Sequence, residues 1–74
     1  MIDLSRLAEA VKHKREHNSL SLAEAAEQSG LSAPTLSRIE RQIFIPDLLT
    51  YYQICRWLEV SLETFFEKIE ALAA

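Results

Sequence analysis

Apolar residues recur along the chain at intervals of three and four, and polar or turn-forming residues interrupt them at points where a helix can start or stop. Leu4, Leu7, Val11 and Leu20 supply an inward stripe, which predicts a first helix over about residues 3–18 that closes in the polar run His17, Asn18, Ser19. Ser21 followed by Glu24 forms a capping box and opens a second helix. That helix stops at Gly30, the only glycine, where a positive φ costs least. Ser32 caps a third helix with Pro34 in its first turn, where the missing N–H is harmless. This helix runs to about Arg41, with Leu36 and Ile39 inward. Pro46 and Asp47 open a fourth helix through Leu58, and Ser61 caps a fifth, over about residues 62–73, that carries Leu62, Phe65, Phe66, Ile69 and Leu72. No strand-like alternation, repeat or low-complexity tract is present, so the expected fold is all-α: a compact five-helix bundle forming a single domain over residues 1–74.

Size changes this picture by making stability marginal. A chain of 74 residues buries a small share of its surface and ordinarily needs a staple or a partner copy. The lone Cys55 cannot form an internal disulfide, and no Cys/His set has zinc-finger spacing, which points to a reducing, cytoplasmic setting and to a dimer. No apolar run approaches the ~20 residues that cross a bilayer, so neither a membrane nor a targeting segment is expected.

The net charge of −3 argues at first against a nucleic-acid partner. Its distribution weakens that objection. Residues 1–58 balance seven basic groups against seven acidic ones, whereas residues 59–74 hold Glu59, Glu63, Glu67 and Glu70 against Lys68 alone. The acidity lies at the C-terminal end, and a locally basic surface elsewhere remains open.

Candidate catalytic chemistry is thin. His13-Lys14-Arg15-Glu16-His17 matches the inverted zinc-peptidase pattern H-x-x-E-H, but a third ligand, carboxylates to orient the imidazoles and room for a substrate cleft are all missing from so short a chain. The two histidines therefore read as a solvated helix face. Cys55 lies beside Tyr51, Ile54 and Leu58 on an inner stripe and reads as a small hydrophobe. With no nucleophile-base-orienter set, the chain is expected to be a non-enzyme, with no metal and no cofactor.

The second and third helices are joined only by Gly30 and Leu31, which forces a steep crossing and leaves the third helix projecting. The string Leu20-Ser21-Leu22-Ala23-Glu24-Ala25-Ala26-Glu27-Gln28-Ser29-Gly30-Leu31-Ser32, followed by Thr35-Leu36-Ser37-Arg38-Ile39-Glu40-Arg41 and later by Leu58-Glu59-Val60-Ser61-Leu62, closely resembles the phage repressor and Cro-type helix-turn-helix family, which includes the small controller proteins of restriction-modification operons. The resemblance implies a DNA-binding regulator of transcription, with the repressor role the expected one. It also implies that Arg15 and Glu40 pair as a structural clamp fixing the recognition helix to the scaffold.

The outer side of the third helix then supplies the base contacts. Ala33, Pro34, Thr35, Ser37 and Arg38 are the groove candidates, with Arg38 suited to guanine O6 and N7 and the small apolar groups to thymine methyls. Lys14, Ser21, Ser32 and Arg41 are the phosphate candidates, by charge or by position at a helix start.

Three departures from the family pattern bear on function. Leu22 replaces a glutamine that touches the DNA backbone, and Gln42 replaces a glycine, so Gln42 must turn left-handed or the loop must be rebuilt. Ile43-Phe44-Ile45 replaces a polar loop; folding inward as core is the expectation, and an exposed patch for a protein partner is the alternative. Trp57, Phe66, Ile69 and Leu72, with Tyr52 a further candidate, exceed what four short helices can cover, which places a homodimer interface on the end of the chain. A twofold dimer would read a palindrome with half-sites ~34 Å apart. The competing function is a protein-interaction module, of antirepressor or antitoxin type, that has lost groove chemistry.

Overall fold

The computed structural model describes residues 2–66. Four α-helices follow in order: α1 (Leu4–His17), α2 (Leu22–Ser29), α3 (Ala33–Glu40) and α4 (Leu48–Leu58); a 3-10 turn (Leu62–Phe65) comes after them. Each helix starts on the residue whose side chain can accept a backbone N–H. Asp3 accepts from Arg6, Ser21 from Glu24, Ser32 from Thr35 and Asp47 from Thr50, which satisfies one of the orphan donors at each start.

The core is a single cluster in which Leu7 and Val11 of α1, Ala25 of α2, Leu36 and Ile39 of α3, and Tyr51, Ile54, Cys55 and Trp57 of α4 pack with Phe65. The Tyr51 hydroxyl donates to the Leu62 carbonyl, and burial pushes its pKa up to about 12. Burial also raises the Cys55 thiol above its ordinary value, in keeping with a packing role rather than reactivity.

Two expectations are corrected. A continuous fifth helix over residues 62–73 does not form through its first turn: the 3-10 turn ends at Phe66, which is extended and makes an isolated antiparallel bridge to Ile2. The Asp3 N–H donates to the Phe65 carbonyl at 2.6 Å, so this backbone tie takes the place of a helical continuation. Ile69 and Leu72 lie outside the described residues. Trp57, expected among surplus apolar surface, is instead buried at 8% exposure; its indole N–H donates to Gln28 Oε1 at 3.1 Å and joins α4 to α2.

Glu24 and Asp47 hold their carboxyls below their ordinary pKa, chiefly because backbone N–H groups of Ser21 and Thr50 bond the charged form. The folded state therefore binds these protons less readily than the unfolded chain. The resulting stability is present above the ordinary carboxylate range and is lost as pH falls through the lowered native values. Denaturant unfolding across the acid limb is expected to show a shallower fall in stability for the double variant Glu24→Gln, Asp47→Asn than for the parent; an unchanged slope would remove the caps from the acid response.

Candidate nucleic-acid interface

The α2–α3 junction has the geometry that a projecting helix requires. Gly30 ends α2 at φ 78° with its N–H on the Ala26 carbonyl. A Cβ there would meet only Gln53 Nε2 at 3.5 Å, so the glycine answers to backbone conformation rather than to lack of space. Ser32 then starts α3: its Oγ accepts from the Thr35 N–H at 3.2 Å and donates to Thr35 Oγ1 at 2.8 Å. Leu36 and Ile39 are buried, which fixes the rotation of the helix and leaves Pro34 and Arg38 exposed, with Ala33, Thr35 and Ser37 half-buried. Of the five groove candidates, only Arg38 combines exposure with charge, and the Thr35 hydroxyl is already engaged by the cap.

The structure brings Arg15 and Glu40 together across 25 positions of sequence. Arg15 Nε donates to Glu40 Oε2 at 2.8 Å and Nη2 donates to Oε1 at 2.9 Å, a two-pronged fork with side chains 21% and 11% exposed. A further bond from Nη1 to the Leu20 carbonyl, 3.3 Å, ties the same guanidinium to the residue before α2. The hydrogen bond that Arg15 donates to Glu40 is the main cause that raises the Arg15 pKa. One side chain thus joins α1, the end of α3 and the approach to α2.

The end of α3 resolves the question raised by Gln42. Gln42 is left-handed at φ 59°, its N–H bonds the Ile39 carbonyl and the Ile43 N–H bonds the Arg38 carbonyl, each at 3.1 Å. That pair of bonds is the Schellman motif, which ordinarily places glycine where Gln42 stands. Gln42→Gly is expected to raise stability by about 0.5–1 kcal/mol, since relief of the left-handed strain outweighs the added freedom of the unfolded chain. A loss in denaturant unfolding would show that the glutamine side chain itself holds the loop.

The phosphate candidates divide. Arg41 is exposed and its Nε rests on the Ser37 carbonyl at 3.3 Å, which keeps the guanidinium at the end of α3. Ser32 heads a helix whose first turn holds no acidic residue. Ser21 differs, because its N–H donates to Glu24 Oε1 at 2.9 Å and a carboxylate already occupies the position an anion would take. Lys14 is also committed elsewhere: its ammonium donates to the Trp57 carbonyl and lies 4.9 Å from the Trp57 ring centroid, near the end of α4, where a cation complements the helix dipole. Sequence spacing could place Lys14 beside Arg15 but carried no signal for a partner 43 positions away. Leu22, in place of the glutamine, packs half-buried against the core.

The expectation for residues 43–45 is half corrected. Phe44 packs against the core, but Ile43 and Ile45 are exposed, as alternate positions of an extended segment must be when the middle one turns inward. His13 and His17 stack with centroids 5.7 Å apart, and among the described residues no group of three His, Cys, Asp or Glu could hold a metal ion. No helix of the described residues is long and apolar enough to cross a membrane.

Comparison with known proteins agrees with this geometry. A transcriptional regulator of the HTH_3 family from Vibrio cholerae is 33% identical with a TM-score of 0.69, over 95% of this chain and 39% of that one; the chain therefore spans well under half the length of that relative. SinR, a master regulator of biofilm formation whose structure was solved in complex with DNA, is 30% identical with a TM-score of 0.64, over 78% of this chain and 94% of its own. The hypothetical transcription factor NHTF from Neisseria shares the fold, with a TM-score of 0.71 at 24% identity over 96% of this chain and 83% of that one. No curated protein matches the chain. The relatives are regulators of transcription rather than enzymes, and the HTH_3 helix-turn-helix pattern matches residues 11–65: the chain belongs to the HTH_3 helix-turn-helix family.

Proposed function

We propose that the chain binds DNA sequence-specifically and regulates transcription as a homodimeric repressor on a palindromic operator. The observation that carries this reading is Arg38: a long, exposed, forked cation on the outer side of α3, a short helix held to the scaffold by the Arg15–Glu40 fork. A bidentate contact to guanine requires a donor pair on a rigid support. Pro34 with Ala33 and the Thr35 methyl offers apolar contact to thymine, and Ser37 a polar one. Arg41 and the start of α3 at Ser32 are the backbone contacts; Ser21 and Lys14, committed to Glu24 and Trp57, contribute less than their positions in the sequence suggest. The relative solved in complex with DNA supports the same reading.

Fluorescence anisotropy with random-sequence duplex DNA tests it. Log K is expected to fall linearly with log salt, with a shallow slope because Arg38 and Arg41 are the only exposed cations among the candidate contacts. The absence of binding at low salt would favour the interaction-module reading, to which the carboxylate at the start of α2 and the exposed isoleucines are suited. Selection from a random duplex pool is expected to return palindromes with half-site centres about one turn of B-DNA apart.

A further inference from the structure

Of the exposed large hydrophobic residues, five follow one another closely at the entry to α4: Ile43 at 64% exposure, Ile45 at 75%, Leu48 at 76%, Leu49 at 66% and Tyr52 at 45%. On a helix that turns ~100° per residue, positions 48, 49, 52 and 56 share one face, so Leu48, Leu49, Tyr52 and Arg56 form a stripe that continues the isoleucines of the loop. Together the five side chains present on the order of 600 Å² of apolar surface, the upper end of what a monomer ordinarily leaves uncovered. That is close to the ~800 Å² each partner gives to a standard interface.

We propose that this α4 face, and not the end of the chain, is where a second copy docks, with the two α4 helices antiparallel about a twofold axis near Tyr52; this placement rests on the dimeric reading above. The charges favour a second copy. On α4 the apolar positions Leu48, Leu49 and Tyr52 lie between Asp47, five positions before Tyr52, and Arg56, four positions after it. An antiparallel pairing of α4 about Tyr52 sets Asp47 of one copy beside Arg56 of the other, so that opposite charges flank the helical part of the patch. Arg56 already lies over the Tyr52 ring with its guanidinium carbon 5.8 Å from the centroid, and so is held against Tyr52. A shallow groove of about 370 Å³, lined by Gln28, Leu49, Tyr52, Gln53, Arg56 and Trp57 among others, runs beside the stripe. The patch is also fastened to α3, because the Ile43 N–H bonds the Arg38 carbonyl. Dimerisation through it fixes both recognition helices directly.

Leu48 and Leu49 are exposed, so Leu48→Glu with Leu49→Glu removes the interface without hollowing the core. Sedimentation velocity of the full chain is expected to show a dimer for the parent and a folded monomer for this variant, self-association weakening by roughly 100-fold or more. Phe66→Lys is expected to leave the dimer in place. A second measurement does not depend on loss: in a Cys55→Ser background, Tyr52→Cys should form a disulfide-linked dimer on mild oxidation, because a residue on a twofold axis faces its own copy, whereas Phe66→Cys should not. A dimer that survives the Leu48, Leu49 change but dissociates with Phe66→Lys would overturn the placement and return the interface to the chain end. A parent that stays monomeric at every concentration, with and without duplex DNA, would instead sink the dimeric reading itself, whatever its affinity for DNA.

Discussion

Glu40→Ala is expected to lower the stability of the fold by about 2–3 kcal/mol, a fall in Tm of roughly 10–20 °C for a domain of this size. The alanine removes both acceptors of the Arg15 fork and leaves a guanidinium that is 21% exposed with only the 3.3 Å bond to the Leu20 carbonyl. A surface ion pair would contribute at most about 1 kcal/mol. The larger figure applies because both partners are mostly covered and because each prong aligns with its own oxygen. Arg15→Lys separates geometry from charge: it keeps a cation within reach of Glu40 but cannot donate through two coplanar nitrogens, so a loss of about 1–2 kcal/mol is expected. Thermal and denaturant unfolding without DNA read both changes. If Glu40→Ala cost under about 0.5 kcal/mol, the pair would be an ordinary surface contact and α3 would owe its position to Leu36 and Ile39 alone.

Arg38→Ala is expected to weaken binding to the preferred duplex by about 1–3 kcal/mol and to relax preference at one position in each half-site. Arg41→Ala should weaken all sequences alike and lower the salt slope by roughly one per subunit. The contrast follows from where the two guanidiniums are held. Arg38 stands on the outer side of α3 between two inward residues, Leu36 and Ile39. Arg41 folds back on the Ser37 carbonyl at the helix end, where the chain leaves a groove and meets the backbone. Binding titrations against a panel of single-base variants distinguish the roles. Equal, sequence-independent losses for both arginines would make Arg38 a phosphate contact and pass specificity to Pro34, Thr35 and Ser37.

The helix boundaries were legible in the sequence because their causes are local. Ser21 with Glu24, Ser32 with Pro34, Asp47 and Gly30 each act within three or four positions, and each begins or ends an element where expected. The Arg15–Glu40 pair came from resemblance rather than periodicity, since nothing local couples residues 25 apart. What escaped was the fate of long amphipathic side chains. Lys14 and Trp57 both looked available for a partner outside the chain, and they found each other across the bundle. Residues 43–45 split because an extended segment sends alternate side chains opposite ways, a distinction invisible when three apolar residues are taken as a block. The expected fifth helix failed at its first turn because the Phe65 carbonyl accepts from the Asp3 N–H near the start of the chain instead of continuing the winding.

Gln42 has two companions. Ser19 and Glu59 are also left-handed, at φ 54° and 61°, and each closes its helix with the same pair of backbone bonds: Ser19 and Leu20 to the Glu16 and Arg15 carbonyls, Glu59 and Val60 to the Arg56 and Cys55 carbonyls. Three of four helices therefore stop on a residue that a glycine would replace with less strain. The sites sit on separate elements, so their effects should add to about 2 kcal/mol. For anyone redirecting the protein to a new sequence, this is mutational headroom: a background stabilised at positions 19, 42 and 59 can absorb the losses that changes at Pro34, Ser37 and Arg38 bring, and so widens the range of recognition surfaces the same scaffold can carry.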